Sequence, residues 1–381
     1  MDFAWSEEQA GMRASIVKFA NAELNEGYAE REKRGEFNHE GWKKCAGMGI
    51  HGLPVPEQFG GTGMDALTTM GVLESLGYGC VDNGLVFSIN AHMWTLEIPL
   101  LNFGTTEQKE RYLPRLCRGE LIGVNAMSEP GSGSDAYSLT TVAEKRGPRY
   151  VLNGSKVFVT NGPIADLFIV YATVDRSKGA NGVSAFLVER GAAGLSYGAH
   201  TEKMGLRTSP MCELFFEDCE VGEENRLGRE GAGKNLFTDS MTWERSCILA
   251  GAVGTMQRIL ETSIRYASER RQFGQPIGKF QLVASRIVDM KINLETSRAL
   301  LYQAGWLKSK GKSIFLEAAM AKLHISESWV QMAESAIQIH GGYGYMTEYE
   351  VERELRDAVS SKLYSGTSEI QRLIIAPLLG L

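Results

Sequence analysis

The chain has 381 residues, too many for one simple core, and a length of roughly 100 to 200 residues per domain predicts two or three domains. Apolar residues make up 43% and charged residues 23%, a globular balance that leaves little room for long disordered tracts. A net charge of −6 argues against a general affinity for nucleic acid, whose binders carry a basic surplus, and leaves only a local basic patch open.

The opening residues, Met1-Asp2-Phe3-Ala4-Trp5-Ser6-Glu7-Glu8, are acidic where a secretory signal would be basic, and no run of about 18 apolar residues follows. A cytoplasmic protein without membrane association is expected. From Ser6 a capping box, Ser6-Glu7-Glu8-Gln9, precedes Met12, Ile16 and Phe19 at helical spacing. Helices are also predicted over 40–48, 67–76 and 106–116, with Gly- and Pro-rich punctuation such as Leu53-Pro54-Val55-Pro56 between them. Residues 1–120 therefore form an N-terminal α-helical domain.

The period then changes to two. Tyr150-Val151-Leu152-Asn153-Gly154-Ser155-Lys156-Val157-Phe158-Val159 places Asn-Gly between β-rich arms, which predicts a hairpin turn at Asn153-Gly154. Further strands are predicted over 167–172, 183–188 and 213–216, giving a middle β domain over 121–228. Beyond Gly228-Arg229-Glu230-Gly231 long helical spacing returns, with Val283, Ile287, Met290, Leu294 and Leu301 in register, so residues 229–381 read as a C-terminal helical bundle. The six cysteines are scattered without a Cys-x-x-Cys pair and read as reduced core residues; the six histidines lack metal-binding spacing, so no metal site is expected.

One position in the first helix of that third segment stands out. Phe237, Met241, Glu244, Ile248, Gly251 and Thr255 share one helical face, and one of the six is a carboxylate. Burial raises a carboxyl pKa and makes a Glu able to act as a base near neutral pH. Arg245 lies about 100° round the helix and is not positioned by spacing alone to neutralise it. The alternative, which periodicity alone favours, is that Glu244 pairs with an Arg of a neighbouring helix or lies at the edge of the stripe.

Five ordered motifs across nearly the whole chain resemble the acyl-CoA dehydrogenase family. Asn125-Ala126-Met127-Ser128-Glu129-Pro130-Gly131-Ser132-Gly133-Ser134-Asp135 resembles its flavin and substrate loop, and Phe158-Val159-Thr160-Asn161-Gly162 the strand against the flavin. Arg270-Arg271-Gln272-Phe273-Gly274 with Gln281, then Gln338-Ile339-His340-Gly341-Gly342-Tyr343-Gly344, and Gly366-Thr367-Ser368-Glu369-Ile370-Gln371-Arg372 resemble its C-terminal signatures. The resemblance implies an α+β fold: an N-terminal helical domain, a middle β-barrel or sandwich, and a C-terminal four-helix bundle. It also implies FAD, contacted by Asn125, Met127, Ser128, Gly133, Ser134, Phe158, Val159, Thr160, Gln338, Ile339, Gly341, Gly342, Thr367 and Glu369, with Thr160 near the reactive edge of the ring. Phe273 would contact FAD as well, and Arg270 and Gln281 would meet the FAD of a neighbouring subunit in a homotetramer or dimer.

Many members place their catalytic Glu just before the Gly-Thr of the last signature, where this chain has Ser365. A serine hydroxyl does not ionise near neutral pH and cannot replace it unaided. The isovaleryl and long-chain relatives place their base before an Arg on the first long C-terminal helix, and Glu244-Arg245, 26 residues before Arg270, occupies that position. The resemblance thus makes Glu244 the base that removes the α proton of an acyl thioester while the β hydrogen leaves as hydride to the flavin. Ser134, Met241, Arg245, Ser365 and Gly366 would contact the substrate.

Phe158, where most members have Trp, with Asn161-Gly162-Pro163-Ile164-Ala165-Asp166, Val86-Phe87-Ser88-Ile89-Asn90-Ala91-His92 and Phe237-Thr238-Asp239-Ser240-Met241-Thr242-Trp243-Glu244, resembles the subgroup that oxidises prolyl and other acyl groups on peptidyl or acyl carrier proteins in antibiotic assembly. A short-branched-chain acyl-CoA dehydrogenase is the alternative. A flavin-containing nucleic-acid-binding or scaffold relative is the alternative of another class. The oxidant, O2 or an electron-transfer flavoprotein, is left open.

Overall fold

A computed structural model describes residues 4–381; Met1, Asp2 and Phe3 of the acidic opening stretch lie outside the described residues. The expected capping box starts helix α1 (Glu7–Glu23): the Ser6 hydroxyl accepts from the Gln9 amide, and the Gln9 side chain accepts from that of Ser6. There follow α2 (Tyr28–Arg34), α3 (His39–Gly47), α4 (Ala66–Gly79), α5 (Asn83–His92), α6 (Ile98–Phe103) and α7 (Thr106–Cys117). A π-helical turn, Met93–Glu97, joins α5 to α6. It aims Thr95 toward the middle domain, where its hydroxyl accepts the Asn125 amide at 3.1 Å.

The strands β1 (Gly123–Ala126), β2 (Val142–Arg146), β3 (Arg149–Thr160), β4 (Leu167–Thr173), β5 (Val183–Glu189), β6 (Leu195–Tyr197), β7 (Met211–Gly222) and β8 (Arg226–Leu227) form one mixed sheet. Its order is β6-β7-β3-β2-β4-β5-β8, with β1 parallel to β4. The expected hairpin turn at Asn153-Gly154 is not there: the turn falls at Gly147-Pro148, and Asn153 and Gly154 lie inside β3. Gly154 serves a different need. It sits at a register shift against β7 with φ 146°, and a Cβ there would lie 2.5 Å from the Thr141 hydroxyl. The Asn153 side chain bonds Asp218 across the strands instead of closing a turn.

The C-terminal part comprises α8 (Gly233–Cys247), α9 (Ala250–Glu269), α10 (Gln281–Ser309), α11 (Phe315–His340), α12 (Val351–Ser361) and α13 (Ser368–Leu378). The face that carries Glu244 does not belong to one continuous helix. A turn at Ile248–Leu249 separates α8 from α9, although Met241, Glu244, Ile248, Gly251 and Thr255 all remain buried. Helices α9, α10 and α11 pack on one another, and α4 from the N-terminal part packs against both α9 and α10. Small residues permit that approach: a Cβ on Gly77 would lie 2.1 Å from the Gly251 carbonyl, and one on Gly254 would lie 2.0 Å from that of Glu74. The two helical parts therefore share one apolar core, which also takes in one side of the sheet.

Candidate active site

A cavity of about 520 Å³ opens where the sheet, α5 with its π turn, α8 and the loop before α13 converge. Among the residues expected at cofactor or substrate, Asn125, Met127, Ser128, Gly133, Ser134, Phe158, Thr160, Met241, Glu244, Ser365, Gly366 and Thr367 all line it.

The loop that follows β1 is held from beneath. Lys156, fully buried on β3, donates to a Glu129 carboxylate oxygen at 2.7 Å and to the Met127 carbonyl at 3.1 Å. Glu129 also accepts the amides of Thr140 and Thr141 and the Thr140 hydroxyl. The carboxylate pays a desolvation cost, but Lys156 and the threonines outweigh it and bring its pKa down to about 2, while burial brings the Lys156 ammonium down to about 8. Motif reading did not assign Lys156 a role; a lysine next to the apolar run Val157-Phe158-Val159 was its only signal.

The end of β3 is re-aimed by a second register shift, between Lys156 and Val159. Phe158 takes φ 56° there and stands 70% exposed at the cavity, whereas Val159 turns inward and is buried among core residues. Val159 thus faces away from the cavity that Phe158 and Thr160 line.

Glu244 lies in the last turn of α8. One carboxylate oxygen accepts a 2.5 Å hydrogen bond from the Ser365 hydroxyl, and the other has no hydrogen-bond partner among the described residues. Burial pushes its carboxyl above the usual carboxylate range, and Ser365, Arg245 and Lys322 pull in the opposite direction without cancelling that effect. The alternative in which a neighbouring arginine bonds Glu244 is not what the structure has. Arg245 instead donates to the Ser365 carbonyl at 3.1 Å.

Ser365 has φ 56° and is held in that conformation from several sides. Gln371 donates to the carbonyls of Ser365 and Gly366 at 3.1 and 2.8 Å, and Thr367 caps α13 by accepting the Ile370 amide. Glu369, in the first turn of α13, is exposed and does not line the cavity. The far wall includes Phe87 and Tyr364, whose rings lie 4.7 Å apart. Tyr364, Thr95 and Lys203 were not singled out as site residues, since each reads as an ordinary helix or loop residue.

A second cavity of about 450 Å³ gathers Arg270, Ile339, Gly341 and Gly342 with Tyr266, His340 and Tyr343. The Arg270 guanidinium lies 5.4 Å from the centre of the Tyr343 ring. Phe273, Gln281 and Gln338 are exposed outside its lining, Phe273 at 93%. These two cavities have no lining residue in common.

The residues present fit a flavin dinucleotide. A Cβ on Gly131, Gly133, Gly341 or Gly342 would meet no atom within 4 Å, so main chain faces open space at all four, and the aromatic Phe158 stands uncovered at the first cavity.

Family models for the N-terminal, middle and C-terminal domains of acyl-CoA dehydrogenase match residues 6–120, 125–219 and 231–379. The chain belongs to the acyl-CoA dehydrogenase family. Among relatives of this acyl-CoA dehydrogenase family member, an L-prolyl-peptidyl-carrier protein dehydrogenase of a Serratia species is 43% identical over 381 residues, covering 100% of this chain and 99% of the relative. Among solved structures, the prolyl acyl carrier protein oxidase AnaB superposes with a TM-score of 0.98 at 54% identity, covering 99% of this chain and 100% of that one. PigA with FAD and proline gives 0.98 at 43%, with both chains covered completely. The expected three-part fold, helical, sheet and helical, is that of the family.

Proposed function

We propose that the protein catalyses FAD-dependent α,β-dehydrogenation of an acyl thioester, with a prolyl group on a peptidyl carrier protein as substrate. The observation that carries this reading is Glu244, buried at the cavity with one carboxylate oxygen on Ser365 and the other free. Its raised pKa makes it a base suited to a thioester's α proton, itself acidified by the adjacent carbonyl. FAD, when bound, supplies the two-electron acceptor that takes the β hydrogen with its electron pair, leaving a C=C bond. Gly366 lines the cavity, and backbone N–H groups of its loop would donate to the thioester oxygen as negative charge develops. Phe87 and Tyr364 line the same cavity with rings 4.7 Å apart, and such a wall beside the acyl group would favour a compact ring over a long chain.

Relatives named for prolyl carriers support the choice of substrate. With it we take 1–120, 121–228 and 229–381 as the three domains, and a cytoplasmic homotetramer in which Arg270 and Gln281 reach a neighbour's FAD.

The test offers the purified holoenzyme a panel of acyl-carrier and acyl-CoA thioesters and reads products by mass spectrometry. Loss of 2 or 4 Da from the prolyl carrier is expected. Turnover of branched acyl-CoA esters but not of their carrier-bound forms would overturn the carrier assignment, and a tight DNA complex with no flavin bleaching by any thioester would overturn the enzymatic reading.

A further inference from the structure

Lys322, on α11, is fully buried, and its ammonium has no hydrogen-bond partner among the described residues. A buried charge left unpaired costs several kcal/mol, so a lysine in such a place calls for a compensating field. Helix α11 packs against α8, which carries Glu244 and Arg245, and against α13, which carries Glu369. The charged groups acting on Lys322 are Arg245, Glu327 on its own helix, Glu244 and Glu369. Glu244 in turn feels Arg245 and Lys322 as its cations and bonds Ser365, and its charge reaches Tyr171 on β4 and Tyr364 before α13.

We propose that Lys322 is a positioning residue for the reaction: a counter-charge that favours the ionised Glu244 carboxylate from a distance, leaving its second oxygen free to receive the substrate proton. The inference rests on Glu244 being the base. A direct ion pair would occupy the lone pairs the base must offer, and neither the Lys322 ammonium nor the second Glu244 oxygen has a hydrogen-bond partner among the described residues; the attraction acts through a low-dielectric interior instead. Arg245 attracts the same carboxylate and more strongly, but its guanidinium is also held by the Ser365 carbonyl, so Lys322 adds a second cation that bonds neither Glu244 nor the loop before α13. Burial, with Arg245 adding to it, lowers the Lys322 pKa to about 8, and the three carboxylates oppose that fall, so the side chain is still a cation at neutral pH.

The experiment follows bleaching of the holoenzyme's flavin by a prolyl-carrier thioester, anaerobically, as a function of pH. In Lys322→Met the acid limb of the rate moves up by about one pH unit, making the reaction about tenfold slower on the acid side while the alkaline plateau is kept. Lys322→Arg leaves the limb in place. An unmoved limb in a Lys322→Met enzyme with full FAD content overturns the inference. So does failure of both Lys322→Met and Lys322→Gln to retain FAD while Lys322→Arg does, since the charge would then belong to folding. Glu244→Gln separates the two readings: it abolishes bleaching at every pH if Glu244 is the base, whatever Lys322 does.

Discussion

The hydroxyl of Ser365 donates a 2.5 Å hydrogen bond to the carboxylate of Glu244, joining the loop before α13 to the last turn of α8. Ser365 adopts a left-handed backbone conformation to do so, one that a non-glycine residue holds only when its surroundings enforce it.

Replacing that serine separates its two contributions. Ser365→Ala removes a donor to the ionised carboxylate, a bond of about 1.5 to 3 kcal/mol, so flavin reduction on the acid side slows by roughly 10- to 100-fold. Ser365→Gly slows it equally but relieves the backbone strain, and therefore melts at a higher temperature than Ser365→Ala. Stopped-flow rates against pH and thermal melts of both variants check the pair.

Glu244→Gln lowers the rate of flavin reduction at least about a thousandfold, as expected for loss of a general base. Its stability moves the other way. Because burial raises the folded-state pKa of Glu244, the native protein binds a proton more readily than the unfolded chain, and the ionised form is the penalised one. Glu244→Gln should then be more stable than the parent at pH 8, by about 1.4 kcal/mol for each unit of elevation, with the advantage fading as pH falls through the raised pKa. Denaturant titrations at pH 8 and pH 5 read this directly.

Lys156→Met strands the Glu129 carboxylate in the interior. We expect a loss of about 3 to 5 kcal/mol and a fall in bound FAD, measured by flavin absorbance per chain. Since Glu129 has its pKa lowered to about 2, its contribution is present above the ordinary carboxylate range and is lost as pH falls toward 2. Acid titration of the parent should reveal a transition in that window that is weakened in Glu129→Gln.

Two glycines test the helix contacts. Gly77→Ala forces a Cβ to within 2.1 Å of the Gly251 carbonyl and should cost about 1 to 3 kcal/mol by overpacking α4 against α9. Gly11→Ala, on α1 with open space around it, should stabilise by about 0.5 to 1 kcal/mol through helix propensity. Thermal melts showing the same sign for both would contradict the packing argument.

Local signals carried much of the architecture. The Ser6 capping box and the long helical stripes appear where their periodicity puts them, because caps and amphipathic faces are encoded within a few residues. Asn153-Gly154 misled because the same dipeptide suits a turn and a bulge, and only contact with Thr141 and Asp218 distinguishes them. The break at Ile248–Leu249 leaves the apolar spacing intact, so spacing could not reveal it. At the site, Glu244 was legible as a carboxylate in an apolar stripe. Lys156 and Lys322 were not, since each owes its role to partners or charges on other elements.

All six cysteines are free and buried. Burial pushes the thiols of Cys80 and Cys247 up to about 12 and those of Cys212 and Cys219 up to about 11, and raises those of Cys45 and Cys117 as well. Peroxide attacks the thiolate, a form that these side chains scarcely populate at neutral pH. Any peroxide that reached the folded chain would therefore find few reactive thiols, a protection that follows from the interior that holds the domains together.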